Sequence, residues 1–356
     1  MSIDLQYKNS DLIVFDDKVI SLSVRKNNDV TTSLIFRSNS QSADNVIYTS
    51  DKNIINDFQV VGKNSNVRVV WLERESTLFS ESEFHYAEIT SEGDVIGHRI
   101  LSCDDKNCRH AALFRAKLVA GYLVLSVISE ITKKIVLVVY NGSDYSQITS
   151  TLSLDDMVNE RYLTSQKILQ ANVVLLAVND NSIYLQFLLP SGTLRNYNVI
   201  INEDSGAIQA SKIFDFALGN MGYHNSLIDN EKKIVLVAYS GTALEDNNIY
   251  VAKQTLFSKG IVRSGEEVRV NQTTGNYFRP FIIKQNDAYL IAWEDELIHY
   301  TVVDNELDII VAESNLSVFS PGHVLLAVYD GIFFSCQVEN VQGREFGSSL
   351  ILSELT

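Results

Sequence analysis

The feature that most constrains the fold is a short apolar phrase that recurs seven times along the 356 residues. Each phrase has three or four apolar residues followed by a small or aromatic residue, and an acidic or Asn-rich turn often comes next. Aligned on one position, the phrases correspond to Phe15, Trp71, Val127, Val178, Tyr239, Trp293 and Val328. Successive phrases lie about 35 to 60 residues apart, and the residues after Val328 and up to Phe15 together supply one more such interval. This self-similarity predicts a fold built from seven equivalent units.

The residues around each phrase predict four strands per unit. A shorter apolar segment precedes the phrase, as at 278–283, and an alternating segment follows it, as at 298–302. Several units then have a glycine-bearing turn, such as 91–94, before a further short strand. Units of four short strands joined by tight turns are typical of propeller blades. The sequence therefore predicts an all-β fold, a seven-bladed β-propeller of four-stranded antiparallel blades.

The predicted propeller is a single domain over 1–356. Its approximate blades are 1–50, 51–103, 108–157, 164–213, 220–272, 273–315 and 316–356. A pair of β-sandwiches would use similar strands but is not expected to repeat at one period seven times. A parallel β-helix has much shorter coils. The spacing therefore favours the propeller over both alternatives.

The sixth unit carries a resemblance to a known group of repeats. Within 267–294, Val270-Asn271-Gln272-Thr273 is followed by Pro280 and by an apolar strand that ends in Ala292-Trp293. This segment resembles the repeat modules of large bacterial surface and secreted proteins of the adhesin type. In those proteins the repeats are adhesive or structural modules, so the resemblance implies binding rather than catalysis. The sequence lacks the motifs of the sialidase, WD40 and kelch propellers.

The charge of the chain disfavours nucleic acid as a partner. The formal net charge is −15, and nucleic-acid binding depends largely on basic residues that neutralise phosphates. No apolar run approaches the length of a transmembrane helix, so no membrane insertion is expected. The first 16 residues lack the basic and apolar regions of a signal peptide. We therefore expect a cytoplasmic protein, with secretion by a non-classical route as the alternative.

The sequence predicts no cofactor and no metal site. Cys103 and Cys108 have no second cysteine pair near them and only His110 as an additional ligand, whereas zinc requires a closed set of four ligands. We expect a solvated loop with free thiols there. The acidic turns 179–181 and 245–248 carry oxygen ligands of the type that calcium binds, but their spacing matches no recognised calcium loop. We therefore expect no bound metal ion, with calcium as the alternative.

Candidate ligand-binding residues lie at equivalent positions in three units. Propellers usually bind ligands at one mouth of the central channel, on the loops that lead into the innermost strands. An arginine there can hold a carboxylate or phosphate, and a histidine can carry protons. The predicted residues are Arg109, His110, Tyr223, His224, Asn225, Tyr277 and Arg279. The alternative role for these side chains is to cap strand ends and hydrogen-bond the loops.

Two functions are consistent with the sequence. The first is a non-catalytic binding or scaffold propeller that recognises a protein or a glycan at the channel mouth or along a blade edge. The alternative is a carbohydrate-active enzyme, a glycoside hydrolase or a lyase-like protein, that uses carboxylates at the same mouth. The sequence contains no nucleophile elbow, no phosphate-binding glycine loop and no His-Glu-x-x-His motif. No catalytic residue can be selected from its 44 acidic residues.

Overall fold

A computed structural model describes the chain as an all-β propeller with four-stranded antiparallel blades. It describes residues 10–354 except 28–30, 39, 41–43, 51–53, 64, 76–79, 158–172, 180, 190–192, 218–220, 242–247, 258–259, 274–277, 295–296, 320–323, 330–331 and 342–344. The chain divides into two compact units. The first comprises 1–167, 201–208 and 325–356, and the second comprises 168–200 and 209–324.

The first unit contains three four-stranded blades and a three-stranded sheet. Blade 1 consists of β1 (Ser10–Phe15), β2 (Lys18–Lys26), β3 (Thr32–Ser38) and β4 (Asn45–Thr49). Blade 2 consists of β5 (Ile54–Lys63), β6 (Val67–Arg74), β7 (Ser82–Ile89) and β8 (Val95–Leu101). A short helix, α1 (Lys106–Arg109), leads into blade 3, which consists of β9 (Ala111–Val119), β10 (Tyr122–Ser129), β11 (Lys134–Asn141) and β12 (Gln147–Met157).

The second unit contains most of blade 4 together with blades 5 and 6. Blade 4 consists of β13 (Val173–Asn179), β14 (Ser182–Leu188), β15 (Thr193–Ile201) and β16 (Ile208–Ala217). Blade 5 consists of β17 (Met221–Asp229), β18 (Ile234–Gly241), β19 (Ile249–Phe257) and β20 (Gly260–Arg269). Blade 6 consists of β21 (Phe278–Gln285), β22 (Ala288–Glu294), β23 (Leu297–Val303) and β24 (Ile309–Phe319). The three-stranded sheet of the first unit consists of β25 (Val324–Tyr329), β26 (Ile332–Val341) and β27 (Glu345–Glu354).

The prediction of seven four-stranded blades is wrong, because six sheets have four strands and the last has three among the described residues. The recurring phrase does not mark one strand of the blade. Trp71, Val127, Tyr239 and Trp293 lie on second strands, whereas Phe15, Val178 and Val328 lie on first strands. A first strand can be packed on two faces as a second strand is, as the burial of β9 and β10 shows, so continuous apolar sequences occur in both kinds of strand.

This mixture of strands explains the uneven spacing of the phrases. The interval from Trp293 to Val328 is the shortest because it runs from a second strand to the next first strand. The segment ending at Phe15 is β1, which pairs with β2 along 10–15 and 18–23. It therefore belongs to blade 1 and does not complete the last sheet.

Alternate residues of β6 pack against the two neighbours of blade 2. Trp71 and Val69 lie in a buried cluster with residues of blade 1, whereas Val70 and Leu72 lie in a cluster with residues of blade 3. Burying one large apolar side chain in such a cluster contributes roughly 1.5–3 kcal/mol to the free energy of folding. This two-sided packing holds the strand ends of blade 2 in place, and the candidate site is built on those ends.

Candidate functional site

One end of blade 2 brings together segments that are distant along the chain. β6 ends at Arg74, β7 begins at Ser82, β8 ends at Leu101, and the chain then enters β9 at Ala111. Because adjacent strands of a blade are antiparallel, these strand ends lie at the same edge. We call this edge the entry end, because the chain enters the first strand of the following blade there.

A cleft of about 600 Å³ opens at the entry end of blade 2. Four carboxylates and a single guanidinium give its lining an acidic character. The lining residues are Glu75, Glu81, Ser82, Glu83, Phe84, Ile100, Leu101, Ser102, Cys103, Asp104 and Arg109. The three glutamates and Asp104 are exposed, so their charges face solvent. The cleft is therefore suited to a cationic group.

A disulfide between Cys103 and Cys108 holds one wall of the cleft. Cys108 is fully buried in the core between blades 2 and 3. The Asp105 side chain accepts a 2.7 Å hydrogen bond from the backbone N–H of Asn107 and so caps α1. The expectation of free thiols in a solvated loop is wrong, because this turn brings the two cysteine Cα atoms to 6.2 Å, within the range that a disulfide spans.

A buried carboxylate and two histidines form a line next to the cleft. The Glu73 and His85 side chains are 4% and 3% exposed, and His85 Nε2 lies 2.9 Å from Glu73 Oε2. His85 Nε2 also lies 3.8 Å from Glu83, which lines the cleft. The buried line thus begins beside the acidic cleft.

The other nitrogen of His85 contacts the second histidine. His85 Nδ1 and His98 Nε2 are 3.0 Å apart, and the ring planes differ by only 1°. The ring centroids are 5.3 Å apart, so the two rings lie edge to edge in one plane with a hydrogen bond between them. His98 is solvent-exposed, and it is therefore the member of the line that can exchange protons with water.

Aromatic rings cover this histidine pair. Trp71 is fully buried and lies nearly parallel to both imidazoles, at angles of 10° and 11°. Tyr48 of blade 1 approaches both imidazoles and Trp71 at tilted angles, and its hydroxyl donates a 3.1 Å hydrogen bond to Glu73 Oε2. These contacts fix the rings and place the cluster between blades 1 and 2.

Two members of the cluster have shifted pKa values. Burial opposes ionisation of Glu73, but interactions with His85, Ser50 and Tyr48 outweigh it and hold the pKa of Glu73 below its usual value. Partial burial of its ring and the neighbouring His85 lower the pKa of His98, against a smaller opposing effect of Glu73. Glu73 is therefore ionised at neutral pH, and His98 is neutral there.

Two of the predicted ligand-binding residues lie at this entry end. Arg109 is the last residue of α1, is exposed and lines the cleft. His110 follows as the C-cap and is half-buried, and its Nδ1 has no hydrogen-bond partner among the described residues. The structure thus places Arg109 in the cleft as its single basic group, with His110 directly behind it in the chain.

The other predicted residues belong to the second unit. Tyr223, His224 and Asn225 lie within β17, and Arg279 lies within β21, so these residues are inside first strands rather than on the loops before them. His224 is fully buried, and burial lowers its pKa to about 3. Tyr277 lies outside the described residues, as do the side chains of Tyr223 and Arg279. A ligand-binding role for these residues stays a prediction.

The sequence analysis missed the acidic residues of the cleft and both histidines of the line. The acidic residues did have a local signal, because four glutamates fall within the short segment 73–83 around the β6–β7 connection. The histidines had none, since His85 and His98 come together only through the pairing of β7 with β8. Strand register, which the sequence pattern does not supply, decides this contact.

Within the ranges that the structure describes, no group of three or more His, Cys, Asp or Glu side chains is placed to hold a metal ion. Most of the acidic turn 245–248, and residue 180 of the other candidate calcium turn, lie outside those ranges. The described part of the chain also has no helix that is long and apolar enough to cross a membrane.

Similarity to known proteins is found at the level of structure. A candidate 6-phosphogluconolactonase from Bacteroides fragilis matches with a TM-score of 0.52 and 8% identity, over 95% of each chain. The β-propeller domain of the Trilobed protease from Pyrococcus furiosus matches with a TM-score of 0.49 and 10% identity, over 96% of this chain and 95% of that one. A prolyl endopeptidase matches over 84% of this chain with a TM-score of 0.48 and 12% identity, and the chain spans 40% of that protein's length.

No protein-family model matches the sequence, and no curated protein matches it. At such low identity the structural similarity shows a propeller fold and nothing more. None of these similar structures connects the chain with the adhesin-like repeats suggested by 267–294. Function has to be argued from the site.

Proposed function

We propose that the protein is a binding propeller whose acidic cleft receives a basic segment of a partner protein. The observation that carries this proposal is the composition of the cleft. Glu75, Glu81, Glu83 and Asp104 line a space of about 600 Å³ in which Arg109 is the single basic residue. The clustered negative charges of these carboxylates attract a lysine or arginine side chain that enters this space. The net charge of −15 adds a long-range attraction.

The remaining lining favours a protein over a glycan. Sugar rings are commonly bound by stacking on an exposed aromatic face. Phe84, the aromatic residue of the lining, is only 1% exposed and offers no such face. The apolar surface at the cleft is instead provided by Ile100, which is 60% exposed. An aliphatic surface beside carboxylates suits a peptide that carries both apolar and basic side chains.

A charge-neutralising variant tests the proposal. The probe is a fluorescein-labelled peptide of sequence Lys-Lys-Ser-Ile-Thr-Val-Thr-Ile, and binding is measured by fluorescence anisotropy. We expect Glu75→Gln/Glu81→Gln to weaken binding about tenfold, because each lost charge contact is worth on the order of 0.5–1 kcal/mol at an exposed site. Raising the salt concentration should weaken binding to the native protein more than to the variant.

The control removes the same charge elsewhere. Glu203→Gln/Asp204→Asn changes two exposed acidic residues that do not line the cleft, and we expect no more than a twofold effect. If both double variants lose the same affinity, the attraction comes from net charge alone and the cleft is not the binding site.

The second candidate function is a carbohydrate-active enzyme. It is favoured by the presence of several carboxylates in one cleft, since glycosidases use two such groups on either side of the scissile bond. Turnover of a chromogenic glycoside that Glu81→Gln or Glu83→Gln abolishes would favour this candidate over the binding propeller.

The disulfide supports a location in an oxidising compartment rather than the cytoplasm, because structural disulfides are rare in reducing compartments. We expect protein isolated from its native host under acid quench to take up a thiol-alkylating reagent at Cys103 and Cys108 only after reduction. Peptide mass spectrometry measures this. Alkylation of both residues without reduction would place the protein in a reducing compartment.

A further inference from the structure

We propose that the outer edge of β8 accepts an extended peptide as an additional antiparallel strand, and that this strand leads its basic N-terminal residues into the acidic cleft. This inference rests on the proposed function and specifies how the partner is held. It concerns the exposed outer edge of blade 2, where the cleft is one end of a longer binding surface.

The first observation is the exposure of β8. It is the last strand in the sheet order of blade 2, and no described strand pairs with its outer edge. Six of its seven residues are exposed. An edge strand of this kind presents unpaired backbone N–H and C=O groups, which form a template for a further strand.

The second observation is that this edge is apolar. Ile96 is 58% exposed, Ile100 is 60% exposed and Val95 is 40% exposed. Natural edge strands are usually protected by charged residues, prolines or bulges. Arg99 is the one residue of β8 that is charged at neutral pH. It is turned to blade 3, where its Nη1 donates a 2.8 Å hydrogen bond to the Asp144 carbonyl. The pairing of β8 with β7 has one bulge, between Val95 and Gly97, so within β8 the stretch from Gly97 to Leu101 is the part that has neither a bulge nor a proline.

The third observation is the order of features along β8. His98 and Ile100 alternate along the regular stretch of the strand and so lie on one face, whereas Ile96 lies at the bulge. The strand then ends at Leu101, and Ile100 and Leu101 both line the cleft. A strand added antiparallel to β8 has its N-terminal end beside the cleft, so lysines placed there meet the carboxylates.

The partner is accordingly an extended protein segment with two chemical features. Apolar residues at alternate positions pack beside Ile96 and Ile100, where cross-strand side chains approach to about 5 Å. One or two basic residues immediately N-terminal to them enter the cleft. On the other face a side chain at Gly97 would meet nothing within 4 Å, so that face is open as well.

The experiment uses the same labelled peptide, in which Lys-Lys precedes an alternating Ile-Thr-Val-Thr-Ile segment. We expect Ile96→Thr/Ile100→Thr to weaken binding of this peptide at least tenfold. Threonine keeps the strand propensity but removes the apolar contact between the isoleucine side chains and the peptide. The matched control is Ile309→Thr/Ile310→Thr on β24, where Ile310 is also 58% exposed and neither isoleucine lines the cleft. The control should change affinity less than twofold.

Backbone pairing is tested with modified peptides. In an added strand every second N–H points to β8, so N-methylation of alternate residues in one register should abolish binding, and in the other register should leave it within threefold. A peptide of reversed sequence should bind at least tenfold more weakly, because its lysines would lie at the end of the added strand that is far from the cleft. Equal effects of the two N-methyl registers would overturn strand addition.

The possible failures are distinguishable. If Glu75→Gln/Glu81→Gln weakens binding while the isoleucine variant and both N-methyl registers do not, the cleft binds the basic residues and the strand proposal is wrong. If neither variant matters, both proposals fail. If sedimentation shows that the native protein is a dimer that Ile96→Thr/Ile100→Thr dissociates, β8 pairs with a second copy of this chain and the peptide proposal is overturned.

Discussion

Blades 2 and 6 both contain a buried tryptophan–histidine pair, but a different side chain contacts the histidine in each blade. In each blade a fully buried tryptophan on the second strand lies directly opposite a histidine on the third, Trp71 with His85 and Trp293 with His299. The rings are nearly parallel in both pairs, at 10° and 7°. The blades differ in which side chain of the fourth strand contacts this histidine.

The fourth-strand partners occupy equivalent register positions. In the strand pairing, Ile100 is opposite His85 and Asn315 is opposite His299. In both blades the residue that contacts the histidine lies two positions before this opposite residue on the fourth strand. In blade 2 that residue is His98, and in blade 6 it is Glu313, whose Oε1 lies 3.1 Å from His299 Nδ1. One scaffold position thus carries a neutral base in one blade and a carboxylate in the other.

The surroundings of the two partners are also different. Glu313 is itself held by the chain that leads into blade 6, because it accepts hydrogen bonds from the backbone N–H groups of Gln272 and Thr273 and from the Thr273 hydroxyl. Its side chain is only 5% exposed. In blade 2 the carboxylate lies on β6 as Glu73, and the fourth-strand residue is left open to water. The comparison shows a closed structural clamp in blade 6 and a line open to solvent in blade 2.

The largest effect is expected in blade 6. Glu313→Ala removes three hydrogen bonds to a carboxylate and the partner of the buried His299, so we expect a loss of about 3 kcal/mol in the free energy of unfolding. Urea denaturation at pH 7 measures it. Glu306→Ala, at an exposed residue of the same blade, should change stability by less than about 0.5 kcal/mol. A loss below 1 kcal/mol in Glu313→Ala would contradict the clamp.

A smaller effect is expected for Glu73→Gln, about 1–2 kcal/mol at pH 7, because the amide oxygen can still accept from Tyr48 while the charge opposite His85 is lost. The native pKa of Glu73 is lowered, so its contribution is present above its unfolded pKa of about 4.3 and is lost as the pH falls through the folded value. The variant should therefore lose less stability than the native protein on acidification below about pH 4.5. Glu83→Gln, exposed and 3.8 Å from the same histidine nitrogen, is the control and should be nearly neutral.

The smallest effect on stability is expected at His98. Its pKa is lowered in the folded state, so the unfolded chain binds its proton more readily and stability falls as the pH drops below about 6.5. His98→Gln should flatten this part of the stability curve. Nuclear magnetic resonance should show that His98 titrates below pH 6.5 and that the buried His224 shows no titration down to about pH 4. A His98 titration midpoint at or above 6.5 would contradict the lowered pKa of this histidine.

Most of the architecture was predictable from the sequence because burial on two faces leaves a signal in every blade. Trp71 and Trp293 were aligned correctly, and both lie on second strands. The same signal produced the wrong blade count. The first strand β9 is buried along most of its length, as is the second strand β10, and hydrophobicity alone does not distinguish the two kinds of strand.

The site was less predictable. Arg109 was predicted to bind a ligand because it precedes an innermost strand; the structure shows that it lines the cleft, and its ligand-binding role stays a prediction. Glu75 and Glu81 come from the β6–β7 connection, Glu83 comes from the start of β7, and the isoleucine wall comes from the end of β8. Their proximity follows from antiparallel pairing across the blade rather than from nearness in the chain.

The amino-acid sequence by itself determined the strand-rich repeat, the acidic charge and the positions of the buried aromatic residues, because these depend on local pattern and composition. The tertiary structure alone decided which repeats were first or second strands, that Cys103 meets Cys108, and that His85 meets His98 while His299 meets Glu313. Each of these is a matter of which residues are brought into contact. A shift of one residue in register reverses the face of every side chain in a strand, and only the folded sheet fixes that register.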